Sequence, residues 1–349
     1  MLRAVLVGCG AMSKTNIEAA LATGDVAFVG LVDLDPEHAR KRAREFGLLD
    51  AEIGTDLAAT LERTRPDFVL DVVVPQARYG VVTTALNHGC HVLSEKPMAD
   101  SLASARALVE AAHRHGRLHA VVQNRRYLEG VRRIRRFVES GAIGAITSLH
   151  CDFFLAPHFG GFREAMEHVL LLDMAIHTFD AARYIAGSAM EAVYAREWEP
   201  ANSWYRQGAS ASAIFELGNG VVFTYRGSWC ADGLRTSWES AWRIVGEAGT
   251  LTWDGADEMR AERRTGAREG LFDVSEPVPV PPLDPRDRVG GHYGVARDFV
   301  DALKAGTEPE TVGHENIKSL AMVFGAIESA ETGRRVAFDP RTAQETTRP

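Results

Sequence analysis

The chain has 349 residues, 46% of them hydrophobic and 25% charged, with 39 Lys and Arg against 47 Asp and Glu for a formal net charge of −8. The length fits about two domains, the composition is that of a folded globular protein, and the acidic balance argues against nucleic acid as a partner. No apolar run approaches the ~20 residues of a membrane-spanning helix, so no membrane partner is expected. Cys9, Cys90, Cys151 and Cys230 are scattered, with no Cys-x-x-Cys pair. That pattern points away from zinc and from a disulfide framework, and towards a reducing cytoplasm.

The chain opens with a β-type run, Arg3-Ala4-Val5-Leu6-Val7, which breaks at Gly8-Cys9-Gly10-Ala11-Met12-Ser13. Ile17, Ala20 and Leu21 then recur at helical spacing, and residues 26–32 read as a second buried strand ending at Asp33. Strand, glycine turn, helix, strand and acid make one βαβ unit of the dinucleotide-binding kind. Gly8 serves the tight turn, and Gly10 lets the backbone approach a pyrophosphate seated on the positive helix end. Asp33 is placed to accept hydrogen bonds from the adenosine ribose. Ser13 replaces the third glycine, whose usual task is helix–strand packing. A carboxylate at Asp33, followed by Leu34 rather than arginine, disfavours a 2′-phosphate, so NAD is expected; Arg40 and Lys41 nearby keep NADP open.

The alternation continues with helices over 36–46 and 56–63, a near-continuous apolar strand over 67–74 closed by Pro75, a helix over 79–87, and a short strand over 90–93 that stops at Ser94-Glu95-Lys96-Pro97. A helix over 101–115, with Asp100 as its expected N-cap, and a strand over 118–123 follow. Strand–helix repeats of this length predict a parallel, doubly wound sheet. Lys96 then lies at the carboxyl end of a parallel strand, where such sheets bind their ligands.

Beyond residue 123 the rhythm changes. A helix over 129–139 carries Arg132, Arg133, Arg135 and Arg136, read as a solvated face in an acidic protein. Strands are expected over 146–154, 192–196, 210–216, 220–229 and 238–246 without intervening helices, which predicts a mostly antiparallel α+β domain. One helix interrupts them, over 170–185, with Asp173 and His177 four apart on one face. Residues 277–282 read as an extended loop, 293–305 and 315–331 as closing helices, and the tail from 342 as disordered.

Asp173 and His177 admit three readings: a structural pair, a metal site with His168 and Asp180, or acid/base machinery. The last fits best, because a dinucleotide site that oxidises an alcohol needs a base for the hydroxyl proton, and histidine has a suitable pKa. Lys96 is suited to hold the substrate oxygen and stabilise developing alkoxide charge. No metal is expected.

Together, Gly8 to Met12, Asp33, Glu95-Lys96-Pro97 and the run Asp173-Met174-Ala175-Ile176-His177 with Asp180 resemble the glucose–fructose oxidoreductase/inositol dehydrogenase (Gfo/Idh/MocA) family over nearly the whole chain. The resemblance implies an N-terminal Rossmann domain, a C-terminal domain built on a large, largely antiparallel sheet, and NAD or NADP as cofactor. It implies that Lys96 is the catalytic lysine, with Asp173 and His177 as the family's carboxylate and histidine. It implies oxidation of a secondary alcohol in a sugar, inositol or related polyol, and a homodimer or homotetramer through the C-terminal sheet. Tyr79 stands where many members carry histidine. The expected cofactor contacts are Gly8, Cys9, Gly10, Ala11, Met12, Asp33, Val74, Pro75, Glu95, Lys96 and Asn124. Arg126, Tyr127, His158, Arg163 and Trp204 are expected along the substrate wall, on loops between elements. Domains are expected at 1–123 and 124–341. An NAD-recycling glycosidase or lyase on the same fold, or a non-catalytic nucleotide sensor, are the alternatives.

Overall fold

Six short runs rich in Val, Leu, Ile and Phe build the first sheet of the computed structural model, which describes residues 1–338. The tail from 342, expected to be disordered, lies outside the described residues. The strands are β1 (Leu2–Val7), β2 (Val26–Val32), β3 (Glu52–Gly54), β4 (Phe68–Asp71), β5 (His91–Ser94) and β6 (His119–Val121). They lie in the order β3-β2-β1-β4-β5-β6, and every pairing is parallel. The helices between them are α1 (Ser13–Ala22), α2 (Pro36–Glu45), α3 (Leu57–Thr64), α4 (Pro75–Asn87) and α5 (Leu102–His115). Side chains start three of these helices as the physics of unpaired N–H groups requires. Asp35 accepts from the Glu37 amide, Asp56 from the Ala59 amide, and Ser101, rather than the expected Asp100, from the Ser104 amide. Pro75 does not merely end a strand; it opens α4, where its missing N–H costs nothing and its φ already suits a helix. The fourth strand is accordingly shorter than the apolar run 67–74, and β3 was not anticipated because only three residues form it.

The second sheet has nine strands: β7 (Ile146–Phe154), β8 (Met190–Trp198), β9 (Ser210–Leu217), β10 (Val222–Ser228), β11 (Ala241–Gly246), β12 (Gly249–Trp253), β13 (Met259–Glu269), β14 (Phe272–Pro277) and β15 (Val336–Ala337), in the order β14-β13-β12-β11-β7-β10-β9-β8-β15. It is antiparallel except where β7 and β10 run parallel. Its helices are α6 (Glu129–Glu139), α7 (Ile176–Ala186) and part of α9 (Gly313–Thr332). Phe179 of α7 packs edge-on against Phe215 of β9 and Tyr225 of β10, with ring centroids 4.8 and 5.2 Å apart. Aromatic pairs in this geometry add about 0.5–1.5 kcal/mol beyond their buried area.

The arginines of α6 are not a solvated face. Arg132 is buried and donates to the Tyr184 hydroxyl at 2.8 Å; Arg133 donates to the Pro281 carbonyl at 3.0 Å; Arg136 grips Asp287 through two nitrogens at 2.8 and 2.6 Å. Guanidinium forks carry enough donors to tie a helix to loop carbonyls and carboxylates, which overrides the preference of a charge for water.

The chain divides into two compact units, residues 1–127 with 288–317, and residues 128–287 with the described residues from 318 on. The sequence predicts a second domain over 124–341. Helix α8 (His292–Ala305) instead returns to the first unit, where Val295, Phe299 and Val300 join its core. Phe299 meets Phe68 of β4 edge-on at 5.3 Å. Residues 311 and 312 extend the sheet beyond β6: the Val121 amide donates to the Thr311 carbonyl at 3.0 Å, and Ala120 bridges to Val312.

Candidate active site

The loop after β1 is shaped by one close approach. Gly8 has φ +87, and a Cβ there would stand 2.6 Å from the Val72 carbonyl oxygen, a contact no side chain tolerates. At Gly10 a Cβ would meet nothing within 4 Å, so this glycine faces open space before the start of α1. Gly10, Ala11 and Met12 are exposed there. Asp33, just after β2, is oriented by two main-chain amides: Cys9 N–H of the loop donates to Oδ2 at 2.7 Å and Asp35 N–H to Oδ1 at 3.0 Å. Cys9 is buried, and burial, together with the Asp33 charge, pushes its thiol up to about 12, so it stays protonated.

Ser13, in place of the third glycine, is wholly buried and donates to the Gly10 carbonyl at 2.6 Å. Arg42 of α2 completes this brace, with Nε on Ser13 Oγ at 2.9 Å and Nη2 on the Gly10 carbonyl at 3.0 Å. Arg40, one of the two residues that kept NADP open, pairs with Glu37 at 2.5 Å.

These residues fit a dinucleotide. The open space at Gly10 leaves room for a phosphate beside the helix start, and the Asp33 carboxylate is held in one orientation at the strand end. Exposed apolar surface rings the same edge of the sheet: Met12 after β1, Leu34 after β2 at 96% exposure, and Val74 and Tyr79 after β4. Flat adenine and nicotinamide rings need such surface.

Lys96 is anchored by its neighbours. Asp71 at the end of β4 and Arg78 of α4 form a fully buried ion pair, Oδ2 to Nε 2.8 Å. The same guanidinium donates to the Val73 carbonyl at 2.6 Å and to the Pro97 carbonyl. The Lys96–Pro97 peptide is cis. Glu95 is 7% exposed; its Oε1 accepts from Asn16 Nδ2 at 2.8 Å and its Oε2 from the Lys96 main-chain N–H at 3.0 Å.

Two residues expected along the substrate wall have other tasks. Tyr127 is 0% exposed and its hydroxyl donates to Asp298 at 2.7 Å; burial, then the charges of Asp298 and Glu310, hold its pKa well above the ordinary phenol value. It is a core residue, not a wall residue. Arg126 is buried with Nη1 on the Glu310 carbonyl at 3.0 Å. Asn124 opens a short 3-10 turn and directs its Nδ2 at His292 Nδ1, 3.4 Å away. A loop position signals a binding residue only when its side chain is exposed, and the burial of Arg126 and Tyr127 is what the sequence did not reveal.

In the second unit the helix expected over 170–185 begins with a π-helical segment, Leu170–Ala175, before α7. The wider turn carries Asp173, and such segments are frequent at functional sites. Arg163 donates from Nε to Asp173 Oδ2 at 2.9 Å. Its guanidinium lies over the rings of Phe159 and Phe162, at 4.9 and 5.0 Å. His177 is 8% exposed in the first turn of α7. Asp180 is fully buried and accepts from Ser319 Oγ at 2.6 Å. His158 stacks on Trp204 with ring centroids 3.6 Å apart. His168 bonds Glu197 at 2.6 Å, and that hydrogen bond holds the imidazole pKa above its usual range.

A parallel dinucleotide-binding sheet followed by a mostly antiparallel α+β unit defines a class of NAD-binding oxidoreductases. Residues 2–123 match the model of an oxidoreductase family with an NAD-binding Rossmann fold, and residues 131–252 match the GFO/IDH/MocA C-terminal domain. The chain belongs to the Gfo/Idh/MocA oxidoreductase family. It is 27% identical over 348 residues to a D-apiose dehydrogenase of Paraburkholderia graminis, covering 98% of this chain and 91% of the relative. It is 32% identical to an inositol 2-dehydrogenase of Burkholderia lata over 203 residues, 57% of this chain and 59% of the relative. Among solved structures, an oxidoreductase from Agrobacterium radiobacter in complex with NAD+, L-tartaric acid and magnesium has the same fold, with a TM-score of 0.84, 24% identity and coverage of 96% and 98%. Among the described residues no helix is long and apolar enough to cross a membrane.

Proposed function

We propose that the protein is an NAD-dependent dehydrogenase acting on a secondary alcohol of a sugar, inositol or related polyol. The observation that carries the proposal is the fixed setting of Lys96 at the carboxyl end of β5, its amide on buried Glu95 and the next carbonyl on buried Arg78. A lysine held this way meets the need for a preorganised cation where alkoxide charge develops. NAD, when bound, supplies the acceptor for the hydride leaving the carbinol carbon.

In this reading His177 takes the hydroxyl proton, Lys96 holds the same oxygen, and Asp173 orients the set. Arg163, fixed between two phenylalanine rings, restrains Asp173 and with His158 belongs to the substrate wall. Val74 and Pro75 flank the cofactor beside Gly8, Cys9, Gly10, Ala11 and Met12. Asp33 favours NAD over NADP because a carboxylate repels a 2′-phosphate. Relatives that carry the names of sugar and inositol dehydrogenases support the substrate class.

The open face of the second sheet, with His150, Thr224, Arg226, Arg243 and exposed Ile214 and Tyr194, is the proposed homo-oligomer contact. Four free, buried cysteines support a reducing compartment such as the cytoplasm.

Lys96→Met tests the proposal. With a polyol that the wild type oxidises, turnover should fall by about 10²–10³-fold while NADH affinity, read by fluorescence, stays near that of the wild type. Undiminished turnover would remove Lys96 from the chemistry.

A further inference from the structure

A run of polar side chains crosses the first unit beneath Lys96, and half of it has no signature in the sequence. Asn16 closes the first turn of α1, Glu95 follows β5, His292 opens α8, and Asn124 opens the turn after β6. Glu95 Oε1 accepts from Asn16 Nδ2 at 2.8 Å and faces His292 Nε2 at 3.8 Å. Glu95 Oε2 accepts the Lys96 N–H at 3.0 Å. Asn124 Nδ2 lies 3.4 Å from His292 Nδ1. With that amide donating, Nδ1 is the acceptor nitrogen and the ring proton sits on Nε2, the nitrogen that faces Glu95.

A buried carboxylate normally resists ionisation. Burial does raise the Glu95 pKa, but its interactions with His292 and Asn16, with the charge of Lys96, outweigh it and leave the group below the ordinary carboxylate range. Glu95 is therefore an anion. Its Oε2 holds the Lys96 main chain, and its Oε1 faces donors on α1 and α8. Helix α1 is the helix that begins at the dinucleotide loop. The carboxylate thereby joins that helix to the backbone of the lysine, and removing either donor leaves a buried charge short of a partner.

We propose that His292 and Asn16 are positioning residues for Lys96: they fix the Glu95 carboxylate, which sets the Lys96 backbone and couples it to the cofactor-binding end of α1. This assignment rests on the reading of Lys96 as the group that holds the reacting oxygen. Asn124 orients the His292 ring within it.

The test needs no substrate. The intact protein is labelled at its lysines with trinitrobenzenesulfonate, with and without saturating NAD+, and the Lys96 and Lys41 peptides are quantified by mass spectrometry. In His292→Leu and Asn16→Leu, Lys96 should label about threefold faster or more, through local opening, and lose its response to NAD+; exposed Lys41 should label at the wild-type rate. His292→Gln, which keeps a donor towards Glu95, should restore both the rate and the NAD+ response. Should the leucine variants not fold, Asn16→Ser, which shortens the donor, carries the same expectation.

On an oxidised polyol, His292→Leu should lower kcat by about tenfold or more and leave the KM for NAD+ within about twofold, because misplacement of a reacting group costs rate before it costs binding. Wild-type labelling in the leucine variants would overturn the assignment. So would equal losses in His292→Leu and His292→Gln tracking equal drops in Tm, since those would mark a purely structural cluster. A wild type that labels as expected but oxidises no polyol would instead count against the proposed reaction.

Discussion

Gly8 and Ser13 sit five residues apart and show how differently two positions of one loop are constrained. At Gly8 the constraint is steric and absolute: positive φ and a backbone oxygen 2.6 Å from where a Cβ would stand. Gly8→Ala should cost about 1–3 kcal/mol of stability through strain, or displace the loop and weaken NADH binding at least about tenfold. Paired urea melts and NADH titrations would read both, and an alanine variant matching the wild type in each would refute the steric argument. At Ser13 the constraint is only one of filling and bonding, so a hydroxyl that reaches the Gly10 carbonyl serves where a glycine is usual. The loop and Asp33 were legible because each requirement maps onto a residue type at a fixed offset. His292 was not, because its meaning comes from Glu95 and Asn124, the latter 168 positions away, and no local pattern marks it. Tyr127 misled for the related reason that loop aromatics look alike in sequence whether exposed or buried.

Among elements, the long periodic ones were read well and the exceptions have identifiable causes. Strand β13 was missed because nearly every one of its residues is exposed, so Met259–Glu269 shows no alternation of apolar and polar positions. The π-helical segment at Leu170–Ala175 was read as ordinary α-helix, since one extra residue per turn leaves an apolar pattern almost unchanged. Strand β6 carries a consequence for acid stability. His119 is 1% exposed, and burial, then the charge of Arg78, holds its pKa down at about 3; His91 on β5 is held at about 4 by burial and Arg117. Each folded pKa lies below the unfolded value near 6.5, so below pH 6.5 the unfolded chain takes up protons that the folded chain refuses. The resulting stability is complete above about pH 6.5 and falls as pH drops towards 4, by up to about 1.4 kcal/mol per pH unit for each histidine. Urea midpoints at pH 7, 6 and 5 should follow that slope, and His119→Asn should flatten it. A slope unchanged by the substitution would show that His119 is not the group excluded from protonation.

The whole molecule is organised less simply than its chain order. The two sheet types announce themselves through the presence or absence of helices between strands, which is why the α/β and α+β character was readable. The return of residues 288–317 to the first unit was not, because an amphipathic helix such as α8 displays an apolar face without stating which sheet covers it. Lys96, Asp173 and His177 stood out through motif and family resemblance, and their joint role is the central claim of the functional reading. That claim is tested most directly by following reduction of NAD+ and NADP+ by the purified protein across a panel of sugars, inositols and linear polyols. The reading predicts reduced nicotinamide with at least one polyol, and a kcat/KM for NAD+ exceeding that for NADP+ by about tenfold or more, as charge repulsion at Asp33 requires. Tight NAD+ binding with no reduction across the panel would contradict it.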